Sequence, residues 1–147
     1  MLMAWQQLSD SELSTILIES KDIAVIGASG DSSRPSFMVL NYLKENTPFN
    51  LFPVNPREAS ISGVKVFKSL EEIPSKIDIC VVFRRPEFMP EVLVEVMAKK
   101  AKVLWMQLGI ENHEVAELAI QSGISVVQNR CIKIEYARLI QGKVLNQ

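Results

Sequence analysis

Five short runs are apolar at nearly every position: residues 22–27, 51–55, 78–83, 102–106 and 124–127. Runs of this length without alternation predict strands covered on both faces. Pro53 lies within the second run and has no N–H to give to a ladder, so that strand belongs at a sheet edge or close to its own end. Between the runs the apolar positions follow a helical period. Phe37, Leu40 and Leu43 form one stripe within residues 36–45, and Leu93, Val94 and Met97 form another in a helix that Pro90 opens. Residues 112–122 predict a further helix, ended by Gly123. Ahead of the first strand, Ser9 and Glu12 stand at capping-box spacing, Leu8 and Leu13 at staple positions, and Leu13, Ile16 and Leu17 continue the apolar face. Residues 64–66 predict a minor strand, and Ser69 with Glu72 predicts a short capped helix.

Strands alternating with helices imply a parallel sheet joined by right-handed crossovers and covered on both sides. The expected fold is therefore α/β: a single doubly wound, Rossmann-like parallel sheet in three α/β/α layers. One domain is expected over residues 1–147, with an N-terminal helix within 1–20 and a tail over 140–147. No internal repeat or linker divides it.

Composition narrows the function more than the fold. A formal net charge of −1 supplies no field to draw in nucleic acid or an anionic membrane, so any bound anion must be held by local geometry. The only histidine, His113, cannot build a histidine-based metal cluster, and Cys80 and Cys131 form neither a disulfide framework nor a zinc pattern. No metal site and no catalytic residue set is expected. No apolar run reaches membrane-spanning length, and residues 1–9 lack the features of a signal peptide, so a cytoplasmic location is expected.

In an open α/β sheet, ligands sit beyond the carboxyl ends of the strands where the strand order reverses. The stretch after the first strand holds Gly27, Ala28, Ser29 and Gly30, then Arg34, Pro35 and Ser36. Small residues let the main chain approach a phosphate, a following helix start points amides at it, and Arg34 with the serine hydroxyls adds charge and donors. The alternative is a plain strand-to-helix turn. After the second strand stand Asn55, Pro56 and Arg57, where a nicotinamide-cofactor domain usually carries Asp or Glu. Asn55 can bond a ribose or base without repelling a phosphate, and Arg57 can pair with a ribose phosphate; a turn with a solvated arginine is the other reading. Phe83 and Arg84 follow the middle strand, as ligand contacts or as a core plug and a surface charge. Trp105 and Met106 read as packing, whereas Gln107 and the backbone at Gly109 read as ligand candidates. Cys131 stands at the functional end of the sheet, where a partly buried structural thiol is the plainer reading; Cys80 reads as core and His113 as surface.

These segments also resemble a family. Gly27-Ala28-Ser29 with Arg34-Pro35-Ser36, then residues 53–56, 82–84, 105–109 and 129–136, appear in the order and spacing of the stand-alone CoA-binding domain proteins of bacteria and archaea. That family is similar to the amino-terminal CoA-binding domain of succinyl-CoA synthetase α subunits. The resemblance runs from about residue 13 to residue 139 and implies a Rossmann-like fold with coenzyme A as ligand. It implies phosphates at Gly27, Ala28, Ser29, Arg34, Pro35 and Ser36. Adenosine with its phosphate falls to Asn55, Pro56 and Arg57, and the rest of the cleft to Phe83, Arg84 and Gln107. Ala28 departs from the larger apolar residue common there, and Asn129 from the usual aspartate. Members of that family lack the ATP-grasp and phosphohistidine parts of the synthetase, and the same is expected here.

The expected function is therefore binding of CoA or acyl-CoA as a carrier, sensor or partner subunit, with a homodimer or an enzyme partner left open. Two alternatives stand beside it. A small NAD(P)-dependent oxidoreductase fits the Gly-Ala-Ser-Gly opening but lacks a Tyr-x-x-x-Lys pair and an acid at the end of the second strand. The other is a protein-interaction module with a vestigial pocket.

Overall fold

Why the five apolar runs show no alternation is evident in the computed structural model, which describes residues 4–142. β1 (Asp22–Ile26), β2 (Asn50–Val54), β5 (Ile79–Val82), β6 (Val103–Met106) and β7 (Ser125–Val127) form one all-parallel sheet in the order β2-β1-β5-β6-β7. Ile23, Ile79, Val81, Val103, Trp105 and Val127 face one layer, while Ala24, Ile26, Cys80, Val82, Leu104, Met106 and Val126 face the other. Helices cover both faces, so the strand interiors are apolar and polar residues (Asp22, Asn50, Ser125) stand only at strand entries.

On the first face lie α1 (Asp10–Glu19), α2 (Pro35–Asn46) and α5 (Ile132–Tyr136), the last running on as a π-helical turn over Ala137–Gln141. Leu13, Leu17, Val39, Leu43, Ile132, Tyr136 and Leu139 supply their share of that core. On the second face lie α3 (Met89–Lys99), α4 (His113–Gln121) and a single 3₁₀ turn at Leu70–Glu72. The capping box of α1 forms as expected: Glu12 N–H donates to Ser9 Oγ at 3.2 Å, and Ser9 N–H donates to Glu12 Oε1 at 3.0 Å. Arg138 ties α5 back to α1, gripping Asp10 with two bonds of 2.8 Å while also holding the buried Glu135 carboxylate at 2.6 Å.

Three local expectations are corrected. The inward stripe of α3 is Met89, Val92, Leu93 and Val96, whereas Val94 and Met97 are 67% and 44% exposed. This helix is apolar on several sides, so its stripe is set by where it starts. In α2 the buried stripe is Val39, Leu40 and Leu43, with Phe37 only half-buried. Ser69 makes no side-chain cap; its carbonyl instead accepts from Glu72 N–H at 3.2 Å in the 3₁₀ turn. The minor strand is one arm of a hairpin, β3 (Ser60–Ile61) antiparallel to β4 (Val64–Lys65). The expected tail lies outside the described residues from residue 143 onward.

Each edge strand of the sheet has a hydrogen-bonded neighbour. Pro53 sits in the edge strand β2, where its carbonyl accepts from Phe67 N–H at 2.9 Å and Asn55 N–H donates to Phe67 O at 2.9 Å. At the other rim the Trp5 indole N–H donates to Val126 O at 2.8 Å. The strand order reverses between β1 and β5, so the loops after these strands diverge and leave a crevice above the sheet.

Candidate functional site

That crevice is a cleft of about 860 Å³, within the size range of small-molecule and cofactor sites. Its floor comes from the first turn after β1. Gly27 has φ +83°, and a β-carbon there would lie 3.0 Å from Phe83 O, so the turn takes glycine for both conformation and space. The N–H groups of Gly27 and Ala28 both donate to Val54 O, at 3.3 and 3.2 Å, which binds the turn to the end of β2. Ala28 is buried against Val25, Leu40, Ile61 and Val66; the small side chain fits beneath the turn.

Asn55 holds the neighbouring wall. Its Nδ2 donates to Ala28 O at 2.8 Å, and its Oδ1 accepts from Arg57 N–H at 2.7 Å and Glu58 N–H at 3.2 Å. The side chain therefore staples the loop after β2 to the loop after β1. Beyond the turn, Asp31 accepts from Ser33 N–H at 2.9 Å and from its hydroxyl at 2.7 Å; these bonds, the hydroxyl first, hold its carboxyl below the usual range. Arg34 is exposed at the head of α2, 3.8 Å from Asp31, and Pro35 occupies the first helical turn, where a missing N–H costs nothing.

The opposite wall follows β5 and β6. Phe83 is half-buried, packing against the core below while it lines the cleft above. The Arg84 guanidinium lies 4.4 Å above the Phe88 ring. Gln107 is 97% buried, and its Oε1 accepts from Ile132 N–H at 2.9 Å, fixing the start of α5 beside the cleft.

The cleft brings together Gly27, Ala28, Ser29, Arg34, Pro35, Ser36, Asn55, Pro56, Phe83, Arg84 and Gln107. Arg57 and Gly109 are not among its lining residues. Arg57 is exposed beyond the Asn55 staple, and Gly109, at φ +87°, gives its N–H to Asn129 Oδ1 at 2.7 Å. Asn129 has φ +55°, a conformation asparagine accepts more readily than most residues, so its amide serves the adjoining turn. Sequence reasoning missed Lys68 and Ser69, which line the cleft because Phe67 pairs with the end of β2. No residue type in the stretch 64–69 signals that return. Cys131 and Ile134 also line the cleft, at the start of α5. Arg34, Lys68 and Arg84 give the walls three cations, with Glu95 the single acid among the lining residues.

Residues 21–137 match the family model for the CoA binding domain. The chain belongs to that family. Within the CoA binding domain family it is 39% identical over 132 residues to the uncharacterized protein YneT of Bacillus subtilis (strain 168), covering 90% of this chain and 97% of that protein. It is 32% identical over 124 residues to the ADP-forming acetate–CoA ligase II subunit alpha of Pyrococcus furiosus, covering 78% of this chain but only 27% of that subunit. A solved hypothetical protein from Pyrococcus horikoshii OT3 superposes with a TM-score of 0.86 at 32% identity, covering 95% of this chain and 99% of that one. The CoA binding domain thus occurs both as a small protein of this length and as about a quarter of a ligase subunit. Among the described residues, no helix is long and apolar enough to cross a membrane.

Proposed function

We propose that the cleft binds coenzyme A or an acyl-CoA and that the chain acts as a carrier, sensor or partner subunit. The observation that carries this reading is the meeting of the glycine turn, the head of α2 and the cations Arg34, Lys68 and Arg84 in one crevice at the strand-order reversal. The diphosphate is assigned to residues 27–29 and 34–36, where the amides of Ser29 and Ser36 have no protein acceptor among the described residues. The adenosine is assigned to the wall made by Asn55 and Pro56, with Lys68 in place of Arg57 as the cation nearest the ribose phosphate. Phe83, Arg84 and Gln107 line the path of the pantetheine arm toward Cys131 and Ile134. We read the protein as cytoplasmic; its two cysteines are unpaired, as a reducing compartment favours.

The test is calorimetric binding of CoA, 3′-dephospho-CoA, NAD and NADP to the same preparation. CoA is expected to bind, and loss of the 3′-phosphate is expected to weaken it by about tenfold, the equivalent of one charged hydrogen bond. Arg34→Ala should weaken CoA without lowering the melting temperature of the free protein, because the side chain is exposed and paired only at 3.8 Å. A preference for NADP would support the oxidoreductase reading, and indifference to all four ligands would support an interaction module.

A further inference from the structure

The lining of the cleft changes character along the strand order. Arg34 and Arg84 follow β1 and β5, and Lys68 stands beside the end of β2. The segments after β6 and β7 contribute Gln107, Leu108, Ile110, Cys131 and Ile134, with no charged side chain among them. Leu108 and Ile134 are 65% and 53% exposed, yet neither is loosely held. Ile110 N–H donates to Gln107 O at 2.9 Å, closing a turn that presents Leu108. Asn129 braces this turn twice: its Oδ1 accepts from Gly109 N–H at 2.7 Å, and its N–H donates to Ile110 O at 3.1 Å. The buried side of α5 is Ile132, Glu135 and Tyr136, which leaves Ile134 outward, and Gln107 Oε1 fixes the helix start through Ile132 N–H at 2.9 Å. One exposed leucine is ordinary, but two large apolar side chains held open at one end of a cleft form a patch that a ligand of that cleft can cover. The same cleft is lined by Ser36, 97% buried, whose hydroxyl makes no hydrogen bond among the described residues. A ligand that reaches from that hydroxyl to the patch is polar at one end and apolar at the other.

We propose that Leu108, Ile110 and Ile134 receive the acyl chain of a CoA thioester, so that the cleft prefers an uncharged straight-chain acyl group to free CoA and to an acyl group ending in a carboxylate. This rests on the CoA reading for the charged half of the ligand and adds what lies beyond its sulfur. With the diphosphate at the cations, the pantetheine arm runs toward β6 and β7, and a chain continuing from the thioester meets the apolar patch. Each methylene it lays there leaves water and uncovers nothing polar. A terminal carboxylate would lose water at the same place without meeting a cation among the lining residues.

The experiment is titration calorimetry of the full chain with CoA, acetyl-CoA, hexanoyl-CoA and succinyl-CoA, and with pantetheine and hexanoyl-pantetheine. Affinity is expected to rise about twofold for each methylene, which makes hexanoyl-CoA about tenfold tighter than acetyl-CoA. Succinyl-CoA should bind no more tightly than acetyl-CoA. Replacing both Leu108→Ser and Ile134→Ser should cut the hexanoyl-to-acetyl ratio to about twofold or less. Leu108→Lys alone should shift the preference from hexanoyl-CoA toward succinyl-CoA, and it remains informative if the double variant fails to fold. Equal affinity for CoA, acetyl-CoA and hexanoyl-CoA would overturn the proposal and leave the CoA reading intact. An undiminished hexanoyl preference in the serine variant would place the chain elsewhere and overturn it as well. If CoA fails to bind while hexanoyl-pantetheine still binds more tightly than pantetheine, the CoA reading falls and the acyl site stands. Binding of neither series would remove both.

Discussion

The Phe83 carbonyl oxygen stands 3.0 Å from the point where a β-carbon on Gly27 would lie, and Gly27 itself has φ +83°. These two residues directly follow strands β1 and β5, on either side of the strand-order reversal, so the crevice floor is set by a close approach of the two backbones. Gly27→Ala should therefore act twice, through a disfavoured conformation and through crowding of the Phe83 carbonyl. An expected loss of about 1–3 kcal/mol in urea unfolding, with weaker CoA binding, checks this. Unchanged stability would mean that the turn relaxes freely.

Asn55→Ala removes three hydrogen bonds in one step, one to Ala28 O and two from the amides of Arg57 and Glu58. The expected cost is about 1–3 kcal/mol, with amide exchange faster in both loops. Asn55→Asp keeps the acceptor for Arg57 and Glu58 but loses the donor to Ala28 O. It should fall between wild type and Asn55→Ala in stability.

Much of this arrangement was legible before the structure. Unbroken apolar runs gave the parallel sheet, because a strand covered on both faces needs no polar alternation. Gly and Pro gave its breaks, and eleven of the thirteen residues proposed from the strand ends do line one cleft. The rest needs tertiary structure. Asn55 and Gln107 line the cleft and also bond the protein's own backbone, a commitment of the side-chain amide that residue type does not reveal. Lys68 escaped notice because its place depends on Phe67 pairing with β2, a contact between segments with no periodic signal. The phase of α3 was lost because Val94 and Met97 are as apolar as the residues that are buried.

Asp78 anchors the start of β1 from the neighbouring strand entry, its Oδ2 accepting from Lys21 N–H at 2.8 Å and Asp22 N–H at 3.0 Å. Burial pulls its carboxyl upward, but the Asp22 and Lys21 amides and the Lys102 ammonium outweigh that and hold it below its ordinary value. A depressed carboxyl adds stability that is fully present above the unfolded-state value and is lost as pH falls through the folded-state value. Asp78→Ala should thus lose about 1–3 kcal/mol at pH 7, and its urea midpoint should approach that of wild type as the pH is lowered toward 2. A gap that stays constant with pH would assign the effect to packing.

The two thiols should behave oppositely. Burial pushes Cys80 up to about 12, whereas Cys131 is half-buried in the cleft wall. A disulfide reagent at pH 8 is expected to titrate one thiol in the folded protein and two in denaturant, with saturating CoA slowing the first. Two fast thiols in the folded state would contradict the burial of β5.

The covered rims of the sheet bear on how copies of this chain can meet. A proline and the Phe67 segment occupy the end of the β2 side, and an indole takes a carbonyl on the β7 side, so among the described residues each edge strand already carries a hydrogen-bonded neighbour that a foreign strand would have to displace. Association of copies through helix surfaces or across the mouth of the crevice leaves these neighbours in place, and in the second arrangement the other molecule would gate access to whatever the crevice holds.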